Sequence, residues 1–173
     1  MNNTDLALLV MRVAVGGVIA MHGFMKLGWV GKGGSPAGTA GFFDNYLGLK
    51  PGRLWAWVAI FAEGLGGALM ALGLFGPFPA IAVAADLTVV TIVAHVPKGF
   101  WVGNGGWEFP LPLAAGALAV ALIGNGAYSL DRMLGLTYSD GPVGLWWIAM
   151  AAGAVLALIL HAMFRPKAAP TAA

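Results

Sequence analysis

The 173-residue chain contains no cysteine, which removes disulfides, thiolate metal sites, iron–sulfur clusters and cysteine nucleophiles together. Charge is nearly as scarce. Lys, Arg, Asp and Glu make up 9% of residues, where soluble domains carry about 25%, so an ordinary water-soluble globular enzyme is excluded. The net charge of +2 comes from bases scattered through connecting segments, with no cluster suited to nucleic acid. Three histidines, His22, His95 and His161, fall on separate segments with no HxxH or ExxH pair, so no metal site and no covalently held cofactor is expected. The glycine-rich stretches GKGGSPAG and GNGGW lack the spacing and following helix of a phosphate loop.

What the chain has is apolar length. Hydrophobic residues make up 60% and the mean hydropathy is +0.84. Five segments, residues 5–27, 54–75, 78–97, 109–124 and 143–164, approach the roughly 20 residues that cross a hydrocarbon core. An all-α membrane protein is the fold class this implies. The first segment has no basic stretch before it and outruns a signal-peptide core, so it reads as a retained membrane helix. Gly76-Pro77 joins the second and third segments too tightly for anything but an antiparallel hairpin. Pro110 and Pro112 suit the first turn of the fourth. Between the first two spans, Thr39 to Leu47 predicts a short interfacial helix capped by Thr39 and lying on Phe42, Phe43 and Tyr46. The tail after Arg165 reads as disordered.

With five spans, one side collects Lys26, Lys32, Lys50, Arg53, Lys98, Arg165 and Lys167, while the other has only Arg132 beside Asp131 and Asp140. The positive-inside bias then predicts an outside N-terminus and a cytoplasmic C-terminus in a bacterial inner (cytoplasmic) membrane. The tryptophans fall near span ends, as an aromatic belt requires.

Ionisable residues inside the spans draw attention to function. Arg12, Glu63 and Asp86 interrupt the first three apolar runs, and each costs roughly 2.5–3.5 kcal/mol at mid-bilayer on insertion scales. At 100° per residue, Arg12 and Lys26 share a face of the first helix, with His22 one turn before Lys26. Glu63 lies on a face with Ala56, Ala59, Gly66, Gly67, Met70 and Gly73, small enough for close helix packing. Arg12 is the expected counter-ion of Glu63, with water or His22 completing the network across an offset of about 5 residues. Lys26 is expected to snorkel to the interface. Asp86 falls about 180° from His95 on the third helix, facing either the fifth helix or a second subunit. Glu108 enters the fourth helix, where a carboxylate suits the dipole.

These residues resemble a known family. Arg12, then Gly16-Gly17, then His22-Gly23-x-x-Lys26-Leu27, is similar to the first helix of DoxX-family membrane proteins. Glu63 before Gly66-Gly67 and Gly73, His95, Glu108, and Gly124-Asn125-Gly126-x-x-Ser129-Leu130-Asp131 extend the resemblance in order to about residue 135. It implies a four-helix membrane domain over 1–135, followed by an additional transmembrane helix (136–165) and the tail (166–173). It also implies quinone-linked redox chemistry, as in the membrane subunit of thiosulfate:quinone oxidoreductases and in oxidative-stress complexes. Under that reading Glu63 and His22 are the proton-handling candidates. Arg12, Lys26, His95 and Glu108 are the candidates for holding a quinone. With no cofactor site of its own visible, the chain needs a partner or a bound cofactor to be a complete oxidoreductase, and membrane lipids and other membrane-protein subunits are its expected partners. The rival expectation is a non-catalytic accessory subunit packed against a respiratory or photosynthetic complex, with the fifth helix as its dock. The buried charges also have structural readings, as interhelical ion pairs and hydrogen bonds.

Overall fold

A computed structural model describes residues 2–165 of the chain; Lys167 and the tail expected to be disordered lie outside the described residues. Every regular element among the described residues is helical. Four helices are long and apolar enough to cross a membrane: α1 (Asn3–Leu27), α3 (Gly52–Leu72), α4 (Phe78–Lys98) and, last in chain order, α7 (Asp140–Phe164). α5 (Pro110–Ile123) is apolar but shorter, at 14 residues. Two further elements lie at the ends of the bundle. α2 starts as Pro36–Phe42 and runs on through Phe43–Leu47, and α6 is Leu130–Leu134.

Sequence chemistry explains the boundaries. Asn2 caps α1 through its side-chain oxygen, which accepts from the Thr4 amide at 3.1 Å. Gly28 ends α1 in the left-handed conformation (φ 79°), and Gly73 does the same for α3 (φ 65°). Two prolines open α4 and α5 in their first turns. The expected cap of the interfacial helix needs correction. Ser35, not Thr39, holds that position, with its Oγ accepting from Gly38 N at 3.0 Å. Pro36 is preset for the first helical position, so the helix starts one turn earlier, and Thr39 instead donates to Ser35 O at 2.9 Å. Asp44 then ties α2 to the start of α3, accepting from Gly52 N at 2.7 Å.

Glycine faces set the register of α1 against α3. A Cβ on Gly67 would lie 2.6 Å from Ala20 N and 2.8 Å from Gly16 O, and one on Gly16 would lie 2.6 Å from Gly67 O. One turn further on, Gly23 lies against the Gly64 backbone. The two backbones touch along this line, as small-residue interfaces in membranes permit. Across the α3–α4 hairpin, Gly66 faces Val83, so Glu63 and Asp86 stand at the same depth.

Two apolar clusters fill the bundle. One joins α1, α3, α4 and α5 around Ile19, Met70, Val83 and Val120; the other joins α2, α3, α4 and α7 around Phe43, Leu49, Ala59 and Ala157. α7 packs mainly along α4. Its far end is tied to α2 by His161, whose Nδ1–H donates to Leu47 O at 2.7 Å.

At the end opposite α2, Asp131 organises the connections. It accepts from Phe75 N (2.9 Å), Gly76 N (2.6 Å), Asn125 Nδ2 (2.7 Å) and the Tyr138 hydroxyl (2.9 Å). Burial and the hydrogen bond to Asp131 push the Tyr138 phenol from its ordinary 10.0 up to about 12. A raised folded-state value favours the protonated phenol in the native protein. The contribution to stability is therefore complete below pH 10.0 and lost as pH rises through about 12. A phenolate absorbance titration of the folded protein is expected to show a step close to pH 12 that is missing in Tyr138→Phe. A wild-type curve that superimposes on that of Tyr138→Phe near pH 12 would contradict this.

Candidate functional site

The ion pairing inside the bundle differs from the sequence expectation. Glu63 pairs with Lys26, not with Arg12. The Glu63 side chain is 4% exposed and that of Lys26 20%, so the carboxylate is the more completely buried partner. Lys26 does not snorkel outward; it turns into the bundle. The cause is axial. Gly23 against Gly64 brings Lys26, one turn on, to the depth of Glu63, while Arg12 is left 14 residues away, or about 21 Å along α1.

Arg12 serves the opposite end. It is 0% exposed, donates from Nη2 to Tyr128 O at 2.6 Å and from Nη1 to Ala71 O at 3.3 Å, and packs against Gly73. Its role here is to hold α1, the end of α3 and the segment after α5 together. Asp5 supports the same junction, accepting from Ala127 N at 2.8 Å.

The Lys26–Glu63 pair faces a cavity of about 250 Å³ near the α2 end of the bundle. His22, His95 and Lys98 also line it, within apolar walls from Ile19, Leu87, Phe109 and Leu113. The His22 ring is tilted against Phe109 at a centroid distance of 6.4 Å. His95 donates from Nδ1 to Gly105 O at 2.7 Å, which leaves Nε2 for a second partner. Of the six residues singled out from sequence, four therefore meet here: His22, Lys26, Glu63 and His95. Arg12 does not, and nor does Glu108, which accepts from Val102 N at 2.8 Å and closes the loop before α5.

Asp86 borders α7, one of its two expected orientations, but its surroundings include more than that helix. Its carboxyl lies beside that of Glu63 and within electrostatic reach of Lys26, although His95, nine residues on, shares a cavity with Glu63 as well. A uniform helical wheel sets these two residues on opposite faces. A wide π turn over Thr91–His95 intervenes in α4. It adds about one residue to that turn and rotates the C-terminal end of the helix by roughly 100°. Similar wide turns carry Arg12 in α1 (Arg12–Gly16) and Glu63 in α3 (Phe61–Gly66).

Sequence reasoning missed Asp131 as the centre of the opposite end. Its signal was present in the order Asn125, Ser129, Asp131, Tyr138, a cluster of polar side chains between two apolar runs.

A multi-pass helical bundle with an ion pair held inside it and turned toward a histidine-lined cavity defines an integral membrane protein with an ionisable interior. Residues 7–96 match the DoxX family model, and the chain belongs to the DoxX family. No curated protein matches it, and no solved structure does.

Proposed function

We propose that this DoxX-family protein is the membrane subunit of a quinone-linked redox system, and that the cavity at Lys26–Glu63 takes the quinone headgroup. The observation that carries the reading is the buried Lys26–Glu63 pair opening on a cavity that two histidines also line. The donor set suits such a headgroup: His22 and His95 offer imidazoles that donate or accept, Lys26 donates, and the remaining walls are apolar. A bound quinone supplies two-electron, two-proton chemistry. Glu63, held by Lys26, gives a fixed carboxyl that exchanges a proton with His22 across the cavity. His95 is oriented by Gly105 O and presents Nε2. Electrons come from a partner subunit. The bases at the α2 end support placing that end in the cytoplasm of a bacterial inner membrane.

The test is quinone-dependent turnover of the purified assembly. Glu63→Gln is expected to lower it by about 10²-fold or more, the usual contribution of a positioned acid–base group. Unchanged turnover would remove Glu63 from proton handling. The fold should survive this change, because Lys26 is the more exposed partner and retains access to the cavity.

A second reading, a non-catalytic accessory subunit, rests on α7, of whose most apolar stretch only 6% is buried within the chain. If truncation before residue 143 left association with a larger complex intact, that docking role would be lost.

A further inference from the structure

A second cavity is walled by α2, α3, α4 and α7, has a volume of about 120 Å³, and shares Phe43, Leu47 and Val90 with the first. Its lining is apolar except at two points. Asp86 and Trp55 both border it, and Asp86 Oδ2 and Trp55 Nε1 are both buried without a hydrogen-bond partner among the described residues. Leaving such a donor or acceptor unmatched away from water is costly. Asp86 has the Glu63 carboxyl beside it and can share a proton with it, so it is the unmatched indole N–H of Trp55, on a cavity that Asp86 also borders, that points to an occupant accepting from it.

The chemistry of that occupant is set by the walls. An apolar cavity of about 150 Å³ accommodates benzene, so this volume suits one six-membered ring and little more. Phe43, the Trp55 ring and the Met150 thioether supply surfaces that favour an aromatic guest. The indole N–H can only donate, so it needs an acceptor oxygen. The carboxyl of Asp86 accepts when ionised and donates when protonated, so the ligand oxygen facing it is best a hydroxyl, which does either. A lone water would meet the polar atoms but leave most of the space empty, since its share of liquid volume is about 30 Å³.

We propose that the cavity bordered by Asp86 and Trp55 is a binding site for an apolar molecule with a phenolic head, closed on one side by α7. This site adjoins the histidine-lined cavity but has its own polar lining, and it stands whether or not that cavity takes a quinone. α7 contributes Met150, Gly153 and Ala157 to it, which assigns the additional helix a part in ligand binding.

The probe is a diazirine-bearing phenol, photolysed with the full-length protein in lipid nanodiscs and mapped by peptide mass spectrometry, beside the same diazirine without its hydroxyl. The phenol is expected to label segments carrying Val89 and Met150, about three- to tenfold more than the deoxy probe, the effect of a matched hydrogen bond. Trp55→Phe and Asp86→Asn should each remove most of that preference; neither loses a hydrogen bond that Trp55 Nε1 or Asp86 Oδ2 makes within the chain. Gly153→Leu tests the space itself. Gly153 lines the cavity and a Cβ there meets nothing within 4 Å, so the larger side chain is admitted without disturbing the helix, and labelling should fall for both probes. Competition by 4-methylphenol alone would assign the site to small free phenols, and competition also by 4-decylphenol to phenols whose tail lies in the bilayer. Equal labelling by the two probes, labelling confined to the His22 and His95 segments, or labelling unchanged in Gly153→Leu would each overturn the proposal.

Discussion

Lys26→Met is expected to destabilise the protein by roughly 3–5 kcal/mol, because it leaves the Glu63 carboxylate buried without its counter-charge. For a chain of this size that corresponds to a fall of about 10 °C or more in Tm. The companion variant isolates the cause. Lys26→Met/Glu63→Gln removes both charges, and most of the lost stability should return, since an absent ion pair costs far less than a broken one. Glu63→Gln alone should cost less than Lys26→Met, because the lysine it orphans is 20% exposed and can rehydrate, whereas the carboxylate is 4% exposed. Thermal unfolding in one detergent checks all three. Equal stability of Lys26→Met and the parent protein would show that the pair carries no burden in the bundle.

The second large effect belongs to the contact between α1 and α3. Gly67→Val should abolish folding into a single species, because a Cβ at this position would stand 2.6 Å from Ala20 N and 2.8 Å from Gly16 O. Both are backbone atoms of a packed helix, so neither can rotate away. The expected cost exceeds the ~1–3 kcal/mol of ordinary overpacking, since the helices must separate to admit the side chain. Gly17→Ala is the matched control: nothing lies within 4 Å of its Cβ, and alanine is the better helix former by about 1 kcal/mol. Size-exclusion profiles of the solubilised variants should show aggregated or absent protein for the first and a normal peak for the second. A normal peak for Gly67→Val would refute close backbone contact.

The contrast between Arg12 and Lys26 shows what a sequence carries and what it withholds. Periodicity places both on one face of α1 and turns the small face of α3, with Glu63, into the bundle. It says nothing about axial displacement of one helix along another. That displacement comes from Gly23 meeting Gly64 and Gly67 meeting Ala20, contacts that exist only once the partner helix is present. Depth counted along the sequence therefore misplaces the partner of Glu63 by three to four turns of α1. Asp86 and His95 illustrate a different limit. Counting at 100° per residue assumes a uniform helix, and the π turn over Thr91–His95 breaks that assumption just before His95. By contrast, the hairpin at Gly76-Pro77, the helix opening at Pro110 and four of the five expected spans come from local chemistry, and sequence suffices for them; the span expected over 109–124 is a helix of only 14 residues.

The position of α7 in chain order bears on how the protein is made. α1, α3 and α4 share their contacts with one another and with α5, all of which leave the ribosome before α7 does. The wall that Met150, Gly153 and Ala157 supply is thus the last to arrive during translation. Until His161 reaches Leu47 O, the flank of α4 that carries Asp86 stands open to the surrounding bilayer. The phenolic guest proposed above would then meet an open site from the lipid phase while synthesis is finishing and be enclosed when the final helix docks. Loading then becomes a step of biogenesis, governed by which molecules the nascent chain meets in its own membrane.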